Sequence, residues 1–444
     1  MIDKLQTLKK HQGFIRYFKN TSWMMIEQFL RIVTGLFVGI WIVRVLGPEQ
    51  FGVLSLLIAL TAIFSSVSKL GLDAILTKDF IDAKEHTQTL SNAFYLSCLG
   101  VLLFLVCIYI YSSFFLESPE GHEKIGLMLI IMALSYLTQP FGVIEYYFQA
   151  KVKMKIISIY KIVLNIIFST TKLVLLMLTG DVFVFVAIIS LEVFFLYLFN
   201  YIAYTRTFGS LNLEYPDFNK MFNLLKISWP YMLTSLAVII YMKIDQVIIE
   251  DVLGIHELGI YSAALKIIEP FYAIPMIIAA SLFPALLNVR SKDDVYCKRL
   301  SILYGFIFWI AVIVSIIIFF ISGNLISLLY GDDYADARSV LDIYIWLSIL
   351  VFIGVINGKW YVSEGLEKLF LLNTLVGLIV NVILNYFFIE KYGLIGAVYA
   401  SVAAYTTSIL IMNLVWKRTR VNFFLMIKGI VFVFKLNDIN KENV

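Results

Sequence analysis

Charge is scarce in this sequence. Of its 444 residues, 15% are Asp, Glu, Lys or Arg and 61% are hydrophobic, with a mean hydropathy of +0.88. Soluble domains run nearer a quarter charged. A water-soluble core cannot hide this much apolar surface, so the composition is that of an integral membrane protein. Cysteine is scarcer still. Cys98, Cys107 and Cys297 offer no disulfide framework or metal spacing, and Cys98 and Cys107 lie in apolar helical sequence where packing is expected. Four histidines, His11, His86, His122 and His256, fall in flanks or connectors and form no metal-spaced set. No phosphate-binding loop is present: GVINGK at 354–359 is one residue short and sits in an apolar span. No GxSxG nucleophile motif occurs. ATP hydrolysis and covalent catalysis are therefore not expected, nor is a cofactor or a metal.

Long apolar runs are what the sequence has. A bilayer core takes roughly 20 helical residues to cross. Twelve runs qualify: 21–45, 51–71, 90–116, 125–147, 156–178, 182–204, 222–250, 258–287, 300–322, 338–361, 369–389 and 393–416. Short connectors with breaker residues join them, among them LGPEQ, LESPEGHEK, LTGD, LGIHE, YGDDYADA and EKYG. The opening MIDKLQTLKKHQGFIRYFKN is basic and lacks the apolar stretch of a signal peptide. With the N-terminus placed inside, 23 Lys and Arg fall on the cytoplasmic side and 4 on the outer side. The positive-inside rule then puts both ends in the cytoplasm. The net charge of +4 thus has a membrane explanation and does not point to nucleic acid.

A repeat divides the chain. VLGPEQFG at 45–52 and VLGIHELG at 252–259 each join the first two spans of a six-span half. This predicts an all-α membrane protein with two six-helix lobes, 1–204 and 222–416, related as parallel repeats. Residues 205–221 would be a cytoplasmic linker, and 417–444 a basic tail with an interfacial helix at NFFLMIKGIVFVFK. Such repeats enclose a substrate path at their interface.

Polar residues recur on single faces of the spans, at about 100° per residue. Asn20, Glu27, Arg31 and Thr34 share a face in span one. Lys161, Asn165, Ser169, Lys172 and Thr179 do so in span five. Ser228, Ser235 and Gln246 form a stripe in span seven, with Lys243 flanking it and Asp245 turned away. Ser262, Lys266 and Glu269 share a face in span eight, and Thr374, Asn381 and Asn385 in span eleven. Glu145, Glu192 and Asp342 add carboxylates to spans four, six and ten. Each charge at bilayer depth costs about 2.5–3.5 kcal/mol on insertion scales and marks a bundle interior or cavity. With no nucleotide site, any transport would run on an ion gradient or on the substrate's own.

LRIVTGLFVGIWIVRVLGPEQFGVLSLLIAL (30–60) and GLDAILTKDF (71–80) resemble the polysaccharide flippases of the multidrug/oligosaccharidyl-lipid/polysaccharide exporter superfamily. So do KIDQVIIEDVLGIHELGIYSAALKIIE (243–269) and GLIGAVYASVAAY (393–405), so that the resemblance spans nearly the whole chain. The resemblance implies a V of two lobes in the bacterial inner membrane, alternating access to a central cationic cavity. It implies flipping of undecaprenyl-diphosphate-linked oligosaccharide for O-antigen, capsule or exopolysaccharide, beside membrane lipid, a polysaccharide polymerase and chain-length proteins. On that reading Arg31 grips phosphate bidentately and Lys172, Lys243 and Lys266 act as point charges. Asn165, Asn381 and Asn385 suit sugar hydroxyls, and Asp245, Glu269 and Glu27 are the ion-coupling candidates. Two alternatives stay open: a cation-coupled drug exporter of the same superfamily, and a membrane enzyme of polysaccharide polymerisation. The second would need a large outer catalytic loop, and no outer connector reaches 20 residues.

Overall fold

The computed structural model of the chain describes residues 12–83, 85–115, 122–291 and 293–432. Most of the N-terminal basic segment with His11, most of the LESPEGHEK connector and the tail beyond 432 lie outside the described residues. Within them, eleven helices are long and apolar enough to cross a membrane. The first of these, 49 residues long, is broken at Gly47 and accounts for two spans, which makes twelve. The segments match the apolar runs of the sequence to within a few residues at each end.

Helix α1 (Gln12–Ser68) turns at Gly47, whose φ of 70° favours glycine, and Pro48 follows at once. A short α2 (Leu76–Asp82) precedes α3 (His86–Phe115). The fourth span comprises α4 (His122–Leu134), a 3₁₀ stretch Ser135–Gly142 holding Pro140, and α5 (Val143–Ala150). Then come α6 (Met154–Leu178), α7 (Val182–Phe208) and α8 (Phe218–Leu253). Span eight is divided into α9 (Ile255–Ile268) and α10 (Ala273–Leu287) by a 3₁₀ turn whose second residue is Pro270. A proline without an N–H cannot continue the α-helical ladder, which explains both 3₁₀ breaks. The chain continues through α11 (Asp293–Leu329), α12 (Ala337–Ser363), α13 (Glu367–Tyr392), α14 (Leu394–Tyr405), a π turn Thr406–Ile411, α15 (Met412–Val415) and α16 (Arg420–Phe432).

Two compact units result. One comprises 1–46 with 53–239, the other 47–52 with 240–444. The division falls inside α8, not in the 205–221 segment. In the first unit, α2 packs on α5 through Leu76, Phe80 and Phe148, all essentially unexposed. The non-helical residues 209–217 run along α3: Ser91 Oγ and Asn92 Oδ1 each accept a backbone N–H, from Glu214 and Asp217, at 2.9 Å, and Gln88 donates to the Tyr215 carbonyl at 2.9 Å. Cys98 is exposed on α3 rather than packed, so its thiol adds only apolar helix surface there.

In the second unit, the repeated octets meet. Gly52 lies so close to Ile255 that a Cβ would come within 2.0 Å of its carbonyl oxygen. Gly259 stands in the same relation to Pro48, at 1.8 Å. Positions 52 and 259 are equivalent in the repeat, as are 48 and 255, so the contact is reciprocal. Gly254, the counterpart of Gly47, likewise has positive φ, 95°. Each octet thus uses its first glycine to reverse the chain and its second to admit a neighbouring backbone.

A buried polar chain ties the last helix down. Tyr304 donates to Asn422 Oδ1 (2.9 Å), Asn422 to Asn357 (2.8 Å), Asn413 to Asn357 (3.1 Å), Tyr361 to Asn413 (3.0 Å) and Asn373 to Tyr361 (2.7 Å). Gly429 of α16 seats against the Ser301 carbonyl of α11. The tail segment expected to form an interfacial helix is therefore helical and anchored on its inner face, with Val421, Phe424 and Val431 exposed on the other.

Two stability predictions follow from these contacts. Gly259→Ala forces backbone apart and should cost about 1–3 kcal/mol, read as a lower melting temperature in detergent, while Gly35→Ala, with nothing within 4 Å, should not lower it. Asn422→Ala strands the Tyr304 hydroxyl and removes one of two bonds to Asn357, and should cost about 1–3 kcal/mol; Val421→Ala, at an exposed position, is the control, and equal melting of the two would sink the network's role.

Candidate functional site

The polar stripes of spans one and five face each other in the first unit. Thr34 donates to Asn165 Oδ1 at 2.7 Å, and Asn20 Oδ1 accepts the Lys155 N–H at 3.2 Å. Three cations around this seam each have a carboxylate. Arg31 pairs with Glu27 one turn earlier at 3.5 Å and also donates to Gln28. Lys161 reaches Glu145 of α5 at 2.6 Å, and Lys172 contacts Glu192 of α7. Lys172 and Lys161 are largely covered, whereas the Arg31 side chain is 53% exposed. Charge in this set is therefore balanced, three cations to three carboxylates. Arg31 is its most accessible cation.

The second unit holds a tighter cluster. Lys243 pairs with Glu269 at 2.9 Å, and Lys266 stands one turn before Glu269 in α9. Asp245 is 3% exposed. The helical-wheel reading turned it away from the serine stripe, and that side is the interior of this unit. Its Oδ2 accepts from Tyr261 at 2.7 Å and from Ser401 at 3.1 Å. Its Oδ1 is buried with no hydrogen-bond partner. Asn381 donates to Ser401 at 3.4 Å, and Asn385 to the Asn381 carbonyl at 2.9 Å. The side-chain oxygens of both asparagines are also buried and unpartnered. Asn381 and Asn385, expected at sugar hydroxyls, have no exposed surface in this conformation. Asn381 reaches the Asp245 group through Ser401, and Asn385 is tied to Asn381. A cavity of about 10 Å³ lies among Tyr241, Asp245, Glu269, Tyr272, Tyr344, Ser401 and Tyr405, the scale of one small polar guest. A buried carboxylate with spare oxygens on its own and neighbouring side chains is hard-cation chemistry.

A larger cavity, about 520 Å³, opens in the first unit between α2, α3 and α8. Asp79, Asp82 and Glu85 line it, with Lys220 bound to Glu85 at 3.3 Å. Burial, and then neighbouring Asp82, hold the Asp79 carboxyl above its ordinary value. Three carboxylates make this cavity a poor receptor for a diphosphate.

Sequence reasoning noted Lys161, Glu145 and Glu192 but did not place them at the site; partners 16 and 20 residues apart on different helices leave no local pattern. Tyr261 and Ser401 were missed as partners of Asp245. A carboxylate within an apolar run was the available signal that such partners must exist.

A family model described as polysaccharide biosynthesis protein matches residues 17–290, and one described as MatE matches 230–387. A Shigella flexneri protein named as an O-antigen transporter is 23% identical over 80% of this chain and 87% of its own length. The capsular polysaccharide biosynthesis protein CapF of Staphylococcus aureus is 20% identical over 85% and 94%. Among solved structures, the lipid II flippase MurJ in an inward closed conformation aligns with a TM-score of 0.68 at 16% identity, over 93% of this chain and 91% of that one. The alignment shows the same fold over nearly the whole chain. The chain belongs to the polysaccharide biosynthesis protein family, within the multidrug/oligosaccharidyl-lipid/polysaccharide exporter superfamily.

Proposed function

We propose that the chain flips undecaprenyl-diphosphate-linked oligosaccharide from the cytoplasmic to the outer leaflet, for O-antigen, capsule or exopolysaccharide assembly, by alternating access. The relatives named for O-antigen transport and capsule biosynthesis support this reading. The observation that carries it is the polar seam of the first unit, where the half-exposed Arg31 lies on the helix face that meets Asn165. An anionic diphosphate crossing an apolar layer needs compensating charge. Arg31 presents a fork for it, and Lys172 supplies a point charge. Because Lys172 is already paired with Glu192, phosphate binding there competes with an internal carboxylate. Such competition lets the site release its substrate as well as take it. Asn165 is suited to a sugar hydroxyl.

In the second unit, Asp245 with Ser401, Asn381 and Asn385 is the proposed station for a coupling cation, and Glu269 is held by Lys243. Glu27, paired with Arg31, is placed to exchange partners when phosphate arrives. The orientation with both termini cytoplasmic and the two-lobe repeat with its 205–221 linker are parts of the same proposal. No chemical step on the substrate is proposed. A drug exporter, which the MatE match would suit, calls for accessible carboxylates free of cations; Glu27, Glu145, Glu192 and Glu269 each have a cation, and Asp245, which has none, is enclosed.

Lys172→Gln with Glu192→Gln removes both charges and avoids a stranded carboxylate. In proteoliposomes without ATP, this double variant should insert and melt like wild type yet translocate a lipid-linked oligosaccharide at least about tenfold more slowly; wild-type transport would reduce the pair to a structural tie. Arg31→Ala should lose transport in the same assay. Asp245→Asn should abolish the stimulation of flipping by an imposed Na⁺ or H⁺ gradient, and unchanged stimulation would remove Asp245 from coupling.

A further inference from the structure

The cation-rich ends of the second unit's helices carry a cavity that the flipping reading does not use. It measures about 710 Å³ and lies between the turn joining α12 to α13 and the chain leaving α15. Lys368 comes from the first segment, and Lys417 and Arg418 from the second, about 50 residues on in sequence. Glu367 is the one carboxylate in its lining.

Basic residues at this end of a membrane protein are ordinary, since they set topology. Three observations separate this cavity from that background. First, the carboxylate just before its lining, Glu364, is already held by Arg290 at 2.9 Å. Among the described residues, Lys368, Lys417 and Arg418 have no such ion pair or side-chain hydrogen bond. Second, the walls are fixed. Trp416 lines the cavity and donates its indole N–H to Asn373 Oδ1 at 3.1 Å, which joins it to the buried chain through Tyr361, Asn413 and Asn422. Arg420, two residues on from Arg418, holds the Leu414 carbonyl at 2.8 Å. The backbone that presents Lys417 and Arg418 is thus braced on both sides. Third, the cavity opens along apolar surface. Val415 lines it, and Leu414 and Ile411 on the preceding turns are also exposed.

Cations at the head, an indole at the rim and an apolar track below match the parts of a phospholipid. The first turn of α13 adds backbone N–H groups, since Leu366 caps it without a side-chain bond. Basic pockets between transmembrane helices recognise lipid phosphate headgroups in this way. We infer that Lys368, Lys417 and Arg418 form a binding site for the phosphate of an anionic phospholipid, whose acyl chain lies along Ile411, Leu414 and Val415. The site is distinct from the polar seam of the first unit and goes beyond the flipping reading. A resident lipid here would brace the tail helix α16 against α13.

The test uses the full chain in detergent, with bound lipid counted by native mass spectrometry. The probes are phosphatidylglycerol, phosphatidylcholine and inorganic phosphate. Wild type should retain phosphatidylglycerol in preference to phosphatidylcholine. Lys417→Gln with Arg418→Gln should weaken phosphatidylglycerol by about 10- to 30-fold with an unchanged melting temperature. Lys78→Gln with Arg206→Gln, which removes equal charge elsewhere, should have no such effect. Quenching by brominated phosphatidylglycerol should fall in Trp416→Phe. Equal retention by the 417/418 variant and wild type would overturn the site. So would equal loss in the 78/206 variant, which would make the effect one of net charge. Displacement of the lipid by excess inorganic phosphate would overturn the lipid assignment in favour of a soluble phosphate.

Discussion

A charge inside an apolar span is tolerated only when something else answers it. Insertion costs of about 2.5–3.5 kcal/mol per residue would overwhelm a fold whose net stability is about 5–15 kcal/mol. In this protein the answer is pairing across helices. Lys161 is matched by Glu145, Lys172 by Glu192, Lys243 by Glu269, and Arg31 by Glu27 on its own helix. These pairs fix which helix faces meet, because removing one partner strands the other in a poor solvent. Asp245 is the variation on the rule: hydroxyls of Tyr261 and Ser401 take the place of a cation.

The same constraint shapes the proposed transport chemistry. A fully cationic cavity would hold a diphosphate too well to pass it on. Cations already engaged with carboxylates bind it by exchange, so only the difference between two pairings appears as affinity. In the second unit, Asp245, Asn381 and Asn385 keep buried oxygens without partners, and on the proposed reading a cation taken up there would change the local charge. Two sites of opposite ligand sign on one chain are what coupling an anionic lipid to a cation gradient requires.

Backbone contact does the work that charge does not. The octets at 45–52 and 252–259 meet through Gly52, set against the Ile255 carbonyl, and Gly259, set against the Pro48 carbonyl. Only a residue without Cβ admits that approach. At the other end of the second unit, asparagines and tyrosines replace glycine as the joining device. Each amide there satisfies a neighbour, so the tail helix is held by a connected set of bonds as well as by burial of Leu425 and Met426.

The span count and the polar stripes were legible in the sequence, because they depend on composition and on residue spacing within one helix. The glycine octets were legible for the same reason, and Gly47 and Gly254 take the positive φ that their place implied. Burial was less so: Cys98 lies exposed, and Asn381 and Asn385 are enclosed. A helical wheel gives the angle between two side chains on one helix and says nothing about what stands opposite. The partners of Lys161, Lys172 and Asp245 sit 16 to 156 residues away. Sequence alone determined that buried charges had to be answered; the tertiary structure decided by which residues, since only folding brings distant helices within the few ångströms over which an ion pair or hydrogen bond acts.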